Sequence, residues 1–309
     1  MNKIKIAHYK MSNMAWAPDV IVKCINKYSE RYEAVLVSPQ EKKYKNSAKS
    51  LKNEFIPIQT DDVLNNFDLI HFHNKFKKTD VPSLIQYHSE PYLVDLSFEG
   101  TKLIISQFQA TLSPYRNFKK VKNIIDFIDE DYYENYETSK IKIGYSPSSG
   151  LNYQKGNRDW TSKGYPETVE ILNNITKSNS NVDIDVITDI NIKECIERKS
   201  KCNIIIDECV TGSYHRSGLE GLALGKLTIC SLNDQVTNII KEVTGSEKIP
   251  FENIFIENLQ NKLQEFIDLG LEYVINQGRE NRKWMEEYWN PKDIITEFEN
   301  IYDNLLKQK

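Results

Sequence analysis

The chain has 309 residues, of which 39% are hydrophobic and 27% are charged. This composition supports folded cores and argues against wholesale disorder. The formal net charge of −4 disfavours a protein that binds nucleic acid over a broad basic surface, although it allows a local basic pocket.

At about 150 residues per domain, the length favours two domains. No run approaches the length of an apolar membrane-spanning helix, and the first residues lack the apolar core of a signal peptide. The five cysteines include no Cys-x-x-Cys pair, so we expect neither a disulfide framework nor a structural zinc site. A protein of the reducing cytoplasm is therefore predicted.

Short apolar runs alternate with amphipathic stretches along the chain. In the first part, strands are predicted over 3–8, 34–37, 68–73, 84–87 and 103–106, with a helix over 19–28. The lysine-rich segment 40–53 is interpreted as a solvated loop and helix face. An acidic, tyrosine-rich stretch over 126–140 follows and is interpreted as the crossing between two domains.

The second part repeats the alternation. Strands are predicted over 141–145, 184–188, 203–207 and 227–231, with helices over 167–177, 193–199 and 236–243 and closing helices over 283–288 and 293–306, broken at Pro291. Such alternation predicts parallel sheets covered by helices on both faces. The predicted fold class is therefore α/β, with two Rossmann-like doubly wound domains over 1–135 and 140–285, followed by a closing helix over 286–309.

Ligands of open α/β sheets bind at the carboxyl ends of the strands, and two such domains facing each other would form a central cleft. After the first strand, the loop with Asn13 and Trp16 has no Gly-x-Gly-x-x-Gly fingerprint. It is either an ordinary connection or a helix start aimed at the cleft.

His71 and His73 share one strand face. Since no third ligand is evident nearby, core histidines are favoured over a metal pair.

The next strand is followed directly by His88 and Glu90. At such a position a histidine can accept or relay a proton near neutral pH. The alternative interpretation is a turn cluster. The functional interpretation is favoured.

In the second domain, a polar loop that begins at Ser146 contains Lys155 and Arg158 and ends at Lys163, just before a helix. Basic side chains beside a helix N-terminus can bind phosphate. A solvated basic loop is the equally weighted alternative. Further on, a strand ends at Asp207 and Glu208 and leads into a loop and helix rich in glycine and hydroxyl groups. There Ser217 and Glu220 have the spacing of a capping box.

The segment 202–231 resembles the donor-site signature of GT-B-fold glycosyltransferases, especially the mostly retaining family 4 group. Its form is Gly-Leu-Glu-Ala-Met-Ala-Leu-Gly-Lys-Pro-Val. Here the chain reads Gly-Leu-Glu-Gly-Leu-Ala-Leu-Gly-Lys-Leu-Thr from residue 218. The strand Asp-Leu-Ile-His-Phe-His over 68–73 and the offset of Arg158 and Lys163 are similar to further motifs of that family. The segment 279–306 resembles its closing helices, the last of which packs back on the N-terminal domain.

The resemblance implies roles for these positions. Glu220 would hold the ribose hydroxyls of a nucleotide donor, Gly218 and Leu219 would offer backbone N–H groups to its diphosphate, and Arg158 and Lys163 would stabilise the departing nucleoside diphosphate. The other donor-side positions are Ser217, Tyr214, Ser146 and Glu208. His88 would lie near the transferred sugar, with Trp16, Asn13 and Glu90 on the acceptor side.

The chain departs from the family pattern at some positions. Gly212 stands where the family has the first Glu of Glu-x₇-Glu, and Glu208 could replace it only with a reshaped loop. His215 and Arg216 occupy a loop that usually has small residues, and the N-terminal glycine-rich loop is replaced by residues 13–16.

The resemblance implies a nucleotide-sugar-dependent glycosyltransferase, retaining, that builds a cell-surface glycan on a glycan, lipid-linked or protein acceptor. Cations and helix dipoles would replace a metal, so neither a divalent ion nor a cofactor is expected, and no nucleic acid partner. A nucleotide-sugar epimerase on the same fold and a non-catalytic nucleotide- or glycan-binding module are the alternatives. The lysines over 42–52 and 75–78 could contact an anionic bilayer at the inner face of the membrane. A solvated surface is favoured, and the oligomeric state is left open.

Overall fold

A computed structural model describes residues 3–307 except 12–13, 15, 42–44, 46–47, 50, 59–60, 130–131, 134, 137 and 148–161. The chain divides into two compact units. Unit 1 comprises Met1–Asp126 and Trp289–Lys309, and unit 2 comprises Phe127–Tyr288. No helix in the described ranges is both long and apolar enough to cross a bilayer.

Unit 1 is built on a seven-stranded parallel sheet with the strand order β3-β2-β1-β4-β5-β6-β7. Its strands are β1 Ile4–Lys10, β2 Tyr32–Ser38, β3 Phe55–Pro57, β4 Leu69–His73, β5 Ser83–Tyr87, β6 Thr101–Ile105 and β7 Lys119–Val121. The order reverses between β1 and β4, the switch point of a doubly wound sheet. Side chains that follow β1, β4 and β5 therefore lie at one edge of this sheet.

Helix α1, Ala17–Tyr28, follows β1 and buries one face against the sheet. Pro18 suits its first turn, where no backbone N–H is needed, and Asp19 complements the positive helix end. Residues 74–118 are all described, and the only helical segments among them are short 3-10 turns, so the predicted alternation of strands with α-helices does not extend through this part. The connection between β4 and β5 is too short for a helical crossover.

Unit 2 has a five-stranded parallel sheet with the order β12-β11-β10-β8-β9. Its strands are β8 Ile141–Tyr145, β9 Val182–Val186, β10 Ile204–Glu208, β11 Leu227–Cys230 and β12 Glu252–Asn253. Its helices are α2 Tyr165–Ser178, α3 Ile192–Ser200, α4 Arg216–Ala223, α5 Asp234–Thr244, α6 Ile256–Leu269 and α7 Leu271–Tyr288. The predicted α/β class with two Rossmann-like domains is confirmed.

Apolar side chains of β8, β10 and β11 form the core of unit 2 together with α2 and α6, as in Ile143, Ile206 and Leu263. The break expected at Pro291 lies between α7 and α8, Pro291–Leu306. Helix α8 belongs to unit 1. Its Glu297 pairs with Lys122, whose Nζ is 2.8 Å from Oε1 of Glu297. Strands β3, β7 and β12 and helix α6 were not predicted.

Candidate functional site

The carboxyl end of β10 places a buried carboxylate, Asp207, beside a buried cation. Lys163 Nζ is 3.3 Å from Oδ1 of Asp207, and the backbone N–H of His215 donates to Oδ2 at 2.5 Å. Burial alone would raise the pKa of Asp207, but the Lys163 ammonium and the His215 contacts outweigh it and lower that pKa below its ordinary value. Asp207 is therefore ionised and fixes the start of the following loop.

Lys163 is held in place by its own backbone. It has a left-handed conformation with φ 52°, and the next residue, Gly164, is the N-cap of α2 with φ 69°. The hydroxyl of Tyr145, the last residue of β8, donates to the Lys163 carbonyl at 3.1 Å. The Lys163 ammonium is thus anchored between the ends of β8 and β10, next to the N-terminus of α2.

Gly218 in α4 packs directly on Asp207. A Cβ at this position would lie 2.7 Å from Oδ2 of Asp207 and 3.0 Å from the Phe251 ring. Only a glycine therefore lets α4 approach the end of β10 this closely. The contact brings the first turn of α4 to the Lys163–Asp207 pair.

Glu220, one turn into α4, is held by two cations. Lys199 Nζ is 2.7 Å from Oε2, and Nε of Arg216 is 3.1 Å from Oε1. Lys199 also donates to Oγ of Ser217 at 2.8 Å. Burial would raise the pKa of Glu220, yet Lys199 and Arg216 lower it below its ordinary value. The carboxylate is ionised, and Lys163 adds to the same electrostatic effect.

The capping-box interpretation of Ser217 and Glu220 was wrong. Helix α4 begins at Arg216, with His215 at the N-cap and no side-chain cap. Ser217 lies two residues after the N-cap, because the loop ends in extended backbone at His215. Both side chains instead contact Lys199 from α3.

The backbone N–H groups expected to bind a diphosphate have partners within the helix start. Those of Gly218 and Leu219 both donate to the His215 carbonyl, at 3.2 and 3.4 Å. These bonds are long, as is common for shared bonds in a first helical turn.

Glu208 shapes the loop after β10. Its Oε2 accepts from the backbone N–H groups of Val210 and Thr211 at 2.9 and 2.6 Å, and Oε1 accepts from Ser231 at 2.6 Å. Burial raises the pKa of Glu208, which these hydrogen bonds oppose. Its carboxylate therefore lies among loop partners and not among the contacts of Glu220.

The remaining donor-side positions have separate surroundings. Tyr214 is fully buried, with its ring stacked 5.7 Å from that of Phe251. Oγ of Ser146 lies 3.8 Å from Sγ of Cys195. Arg158 lies outside the described residues. Of the predicted donor-side residues, Lys163 and Gly218 both contact Asp207. Ser217 and Glu220 both contact Lys199.

In unit 1, Trp16 is the N-cap of α1 with φ 66°, and Asn13 lies outside the described residues. Glu90 precedes the 3-10 turn Pro91–Leu93, and its carbonyl accepts from Leu93 N–H at 3.0 Å. Among the described contacts, Glu90 shares no partner with Trp16.

His88 belongs to a cluster with three other histidines. Nδ1 of His73 lies 3.0 Å from Nε2 of His88, and Nε2 of His73 lies 3.0 Å from Nδ1 of His8. His71 stacks on His73 at 4.4 Å between ring centroids. A third histidine, which was not evident from the sequence, lies near His71 and His73, because β1 pairs with β4 and places His8 opposite His71. His71 and His73 are themselves fully buried, as favoured.

Neither Lys199 nor His8 was predicted from the sequence. Lys199 is the rare lysine that is almost completely buried, and its position on a short polar helix gave no signal. His8 did carry a signal. It lies in an apolar alternating strand whose neighbour, β4, also has histidines on one face.

Comparisons with known proteins bear on this arrangement. No protein-family model and no curated protein matches the sequence. Among solved structures, the chain is similar over its full length to a glycosyltransferase from Rickettsia africae, with 15% identity, 100% of both chains covered and a TM-score of 0.64. It is also similar to Anabaena HepE in complex with UDP and glucose, with 10% identity, 97% and 100% covered and a TM-score of 0.62.

A third similar structure is a putative UDP-N-acetylglucosamine 2-epimerase from Listeria monocytogenes, with 10% identity, 100% and 98% covered and a TM-score of 0.57. At such identities a likeness describes the backbone, since one fold hosts different chemistries. The expected fold is confirmed: over its whole length this chain has the GT-B fold of these glycosyltransferases.

Proposed function

We propose that this protein is a glycosyltransferase that takes its sugar from a nucleoside-diphosphate sugar. The observation that carries the proposal is the pair of ionised clusters around the first turn of α4, Lys163 with Asp207 and Glu220 with Lys199 and Arg216. HepE, which shares the fold, is described in complex with UDP and glucose.

The geometry fits the two polar parts of such a donor. Each Glu220 oxygen accepts from one cation and has a further lone pair, so it can also accept from a ribose hydroxyl. Three cations, Lys163, Lys199 and Arg216, stand against the carboxylates of Asp207 and Glu220. The excess of one positive charge favours an anionic diphosphate.

In the reaction, Lys163 would do the main electrostatic work. Sugar transfer passes through an oxocarbenium-like state while the bond to the diphosphate breaks and negative charge builds on the leaving oxygen. An ammonium already fixed beside that oxygen lowers the barrier, because it needs no reorganisation. Asp207 would hold the ammonium until the diphosphate binds.

Several finer features are part of the proposal. We propose retention of configuration, no need for a divalent ion or cofactor, and an acceptor that is a glycan, a lipid-linked sugar or a protein. A cytoplasmic enzyme of cell-surface glycan synthesis fits this set. Arg158 is proposed as a second cation for the diphosphate on the resemblance alone.

An epimerase of nucleotide sugars is the second candidate, since the Listeria structure has this fold. Such a reaction needs acid–base carboxylates beside the sugar. Two carboxylates, those of Glu90 and Glu208, follow strand ends and could act in this way. The Glu208 carboxylate is hydrogen-bonded within its own loop, which leaves Glu90 alone. The structure therefore favours the transferase.

The test is incubation with a panel of nucleoside-diphosphate sugars, with product analysis by mass spectrometry and sugar NMR. Slow release of nucleoside diphosphate that accelerates with a sugar acceptor is expected. A changed sugar still attached to its nucleotide would identify an epimerase. Binding without any turnover would identify a non-catalytic module.

A further inference from the structure

Four of the five histidines in the chain lie together at the sheet of unit 1. His8 comes from β1, His71 and His73 come from β4, and His88 follows β5. The first three are fully buried. Neighbouring rings in this cluster have centroids 4.4 to 5.3 Å apart, so a charge on one ring would lie directly against the next.

Helix α8 packs on this histidine cluster. Nδ1 of His71 lies 3.0 Å from the hydroxyl oxygen of Tyr302. The centroid of the His71 ring is also 5.8 Å from that of Phe298 and 6.0 Å from that of Tyr302. Both aromatic side chains belong to the buried face of α8. The state of the cluster is therefore coupled to the docking of this helix.

Three of the rings form a hydrogen-bonded chain. Nδ1 of His8 lies 3.0 Å from Nε2 of His73, and Nδ1 of His73 lies 3.0 Å from Nε2 of His88. The centroids of these pairs are 5.3 and 5.2 Å apart, so the facing nitrogens lie close to the line between the ring centres. This is the geometry of N–H···N bonds. Two ligands of one metal ion would instead turn toward a point off that line.

The chain has no place for an additional proton. In the neutral state each contact between rings has one N–H and one lone pair, and a second proton there would turn one N–H against another. At the end of the chain, Nε2 of His8 is buried and lacks a hydrogen-bond partner among the described residues. An N–H at that atom would be a buried donor without an acceptor, which costs free energy.

The groups that face the cluster from neighbouring elements do not favour a charged ring either. The Lys10 ammonium of β1 adds to the lowering of the His73 pKa, and it is itself paired with Asp19 of α1. Burial raises the pKa of Tyr32 on β2 and of Tyr302 on α8, so both are neutral phenols. Within the described part of the chain, no carboxylate contacts any of the four rings.

All four rings are neutral in the folded protein. Burial lowers the pKa of His8 and of His88 to about 3. Burial and the neighbouring histidines also lower the pKa of His71 and of His73, and the Gln86 side chain opposes this effect at His71. The ordinary histidine value is 6.5. Between these values a hydrated ring binds more protons than a buried one, so acid favours any opening that hydrates the cluster.

Helix α8 is the element that can open at the lowest cost. Strands β1 and β4 are central and have hydrogen bonds to a neighbouring strand on each side. Helix α8 is held on unit 1 by side chains, which pair as Glu297 with Lys122, Glu299 with Ser29, Asp303 with Arg31 and Tyr302 with His71. Arg31 lowers the pKa of Asp303, so this ion pair persists in mild acid, where the histidines titrate.

We propose that the four histidines are a proton-sensitive latch beneath α8. In mild acid they take up protons and release α8 from the sheet of unit 1, while the sheet itself stays folded. His71 is hydrated first, because its ring is in contact with α8. This inference does not rest on the proposed transferase activity, and its test needs no turnover.

Hydrogen exchange of the whole chain, followed by mass spectrometry at pH 7.5, 6.5 and 5.5, tests the latch. After correction for intrinsic rates, we expect α8 amides to lose at least about tenfold in protection from pH 7.5 to 5.5, the factor for one histidine that titrates at 6.5 when open. Amides of β1 and β4 should stay more protected than those of α8 at each pH. Helix α6 of unit 2 is the internal reference and should change less than about twofold.

Variants identify the group that titrates. H71Q keeps a polar side chain beside Tyr302 but does not titrate in this range, so the pH dependence of α8 exchange should be about tenfold smaller than in wild type. H8Q provides the same comparison at a ring that faces His71. E297Q is the matched control, because it removes the contact with Lys122. It should speed α8 exchange by the same factor at each pH.

Three results would overturn the proposal. The first is protection of α8 that does not change with pH after correction. The second is loss of protection in α8, β1 and β4 to the same extent at each pH, which would show that unit 1 opens as a whole. The third is the full pH dependence of wild type in both H71Q and H8Q, which would assign the titration to other groups.

Discussion

Lys199 Nζ lies 2.7 Å from Oε2 of Glu220, and both side chains are almost completely buried. The pair joins α3 to α4 and sets the direction of the Glu220 carboxylate. Burial lowers the pKa of Lys199, but the Glu220 charge outweighs it, so the net shift is upward. Both groups are charged, and removing either partner would leave a buried, unpaired charge that lowers the free energy of unfolding.

Removing the cation alone should therefore destabilise the protein. We expect K199M to lower the free energy of unfolding by about 3 kcal/mol, because a buried carboxylate loses its closest partner. Urea denaturation followed by circular dichroism measures this. K201M is the control, because Lys201 pairs with Glu197 at the surface of the same helix end, and an exposed pair contributes little to stability. Equal losses in both variants would contradict the account.

Lys163 should matter for turnover more than for acceptor binding. We expect K163M to lower kcat about 100-fold, because the leaving diphosphate loses a fixed cation, with acceptor KM within about threefold. Steady-state kinetics with the donor found by the panel measures this. K140M removes a lysine from an exposed pair with Asp183 and should leave kcat unchanged. An unaltered kcat in K163M would show that Lys163 does not stabilise the leaving diphosphate.

The close packing of Gly218 on Asp207 predicts a strong effect of one methyl group. In G218A the new Cβ would lie 2.7 Å from Oδ2 of Asp207, so either the carboxylate or α4 must move. A shifted carboxylate would also change the contact between Asp207 and Lys163. We expect at least tenfold weaker nucleoside diphosphate binding by calorimetry. In the G245A control the new Cβ has nothing within 4 Å, and its positive φ should cost only stability. Unchanged affinity in G218A would argue against this geometry.

Acid should destabilise unit 1 through its histidines. The pKa of His8 is about 3 when folded and 6.5 in the unfolded chain. Between these values the unfolded chain binds more protons, so stability falls as pH falls. At pH 5 the loss for His8 is about 2 kcal/mol relative to pH 8. The cause of this shift is burial, and the rings of His71 and His73 face His8.

Hydrogen exchange of β1 and β4 amides against pH measures this loss. We expect faster exchange at pH 5 than at pH 7 after correction for intrinsic rates, and a weaker dependence in H8N. The same pH dependence in H8N as in wild type would show that His8 does not contribute.

Much of the fold could be predicted from local pattern. Strand β8 was predicted at its observed bounds because Ile141 and Ile143 alternate in a short apolar run. The two-residue strand β12 was missed because nothing local distinguishes Glu252–Asn253 from a loop. Helix α6 was missed although Leu259, Leu263 and Phe266 have helical spacing.

The site was harder to predict, because its contacts join distant segments. The sequence predicts Glu220 and Lys163 as site residues, but their contacts with Lys199 and Asp207 depend on how α3 and β10 pack. Similarly, His8 meets His73 only through the pairing of β1 with β4. Residue 218 must be glycine because the Asp207 side chain packs against it, and the spacing of residues in the sequence does not predict that contact.

The central claim is that the first turn of α4 binds a nucleoside diphosphate. Calorimetric titration of a panel of nucleoside diphosphates into wild type, E220Q and the surface control E197Q tests it most directly. The account predicts one site per chain for at least one of them, about tenfold to 100-fold weaker in E220Q and unchanged in E197Q. Equal affinity in E220Q and wild type, or no binding of any nucleoside diphosphate, would contradict it.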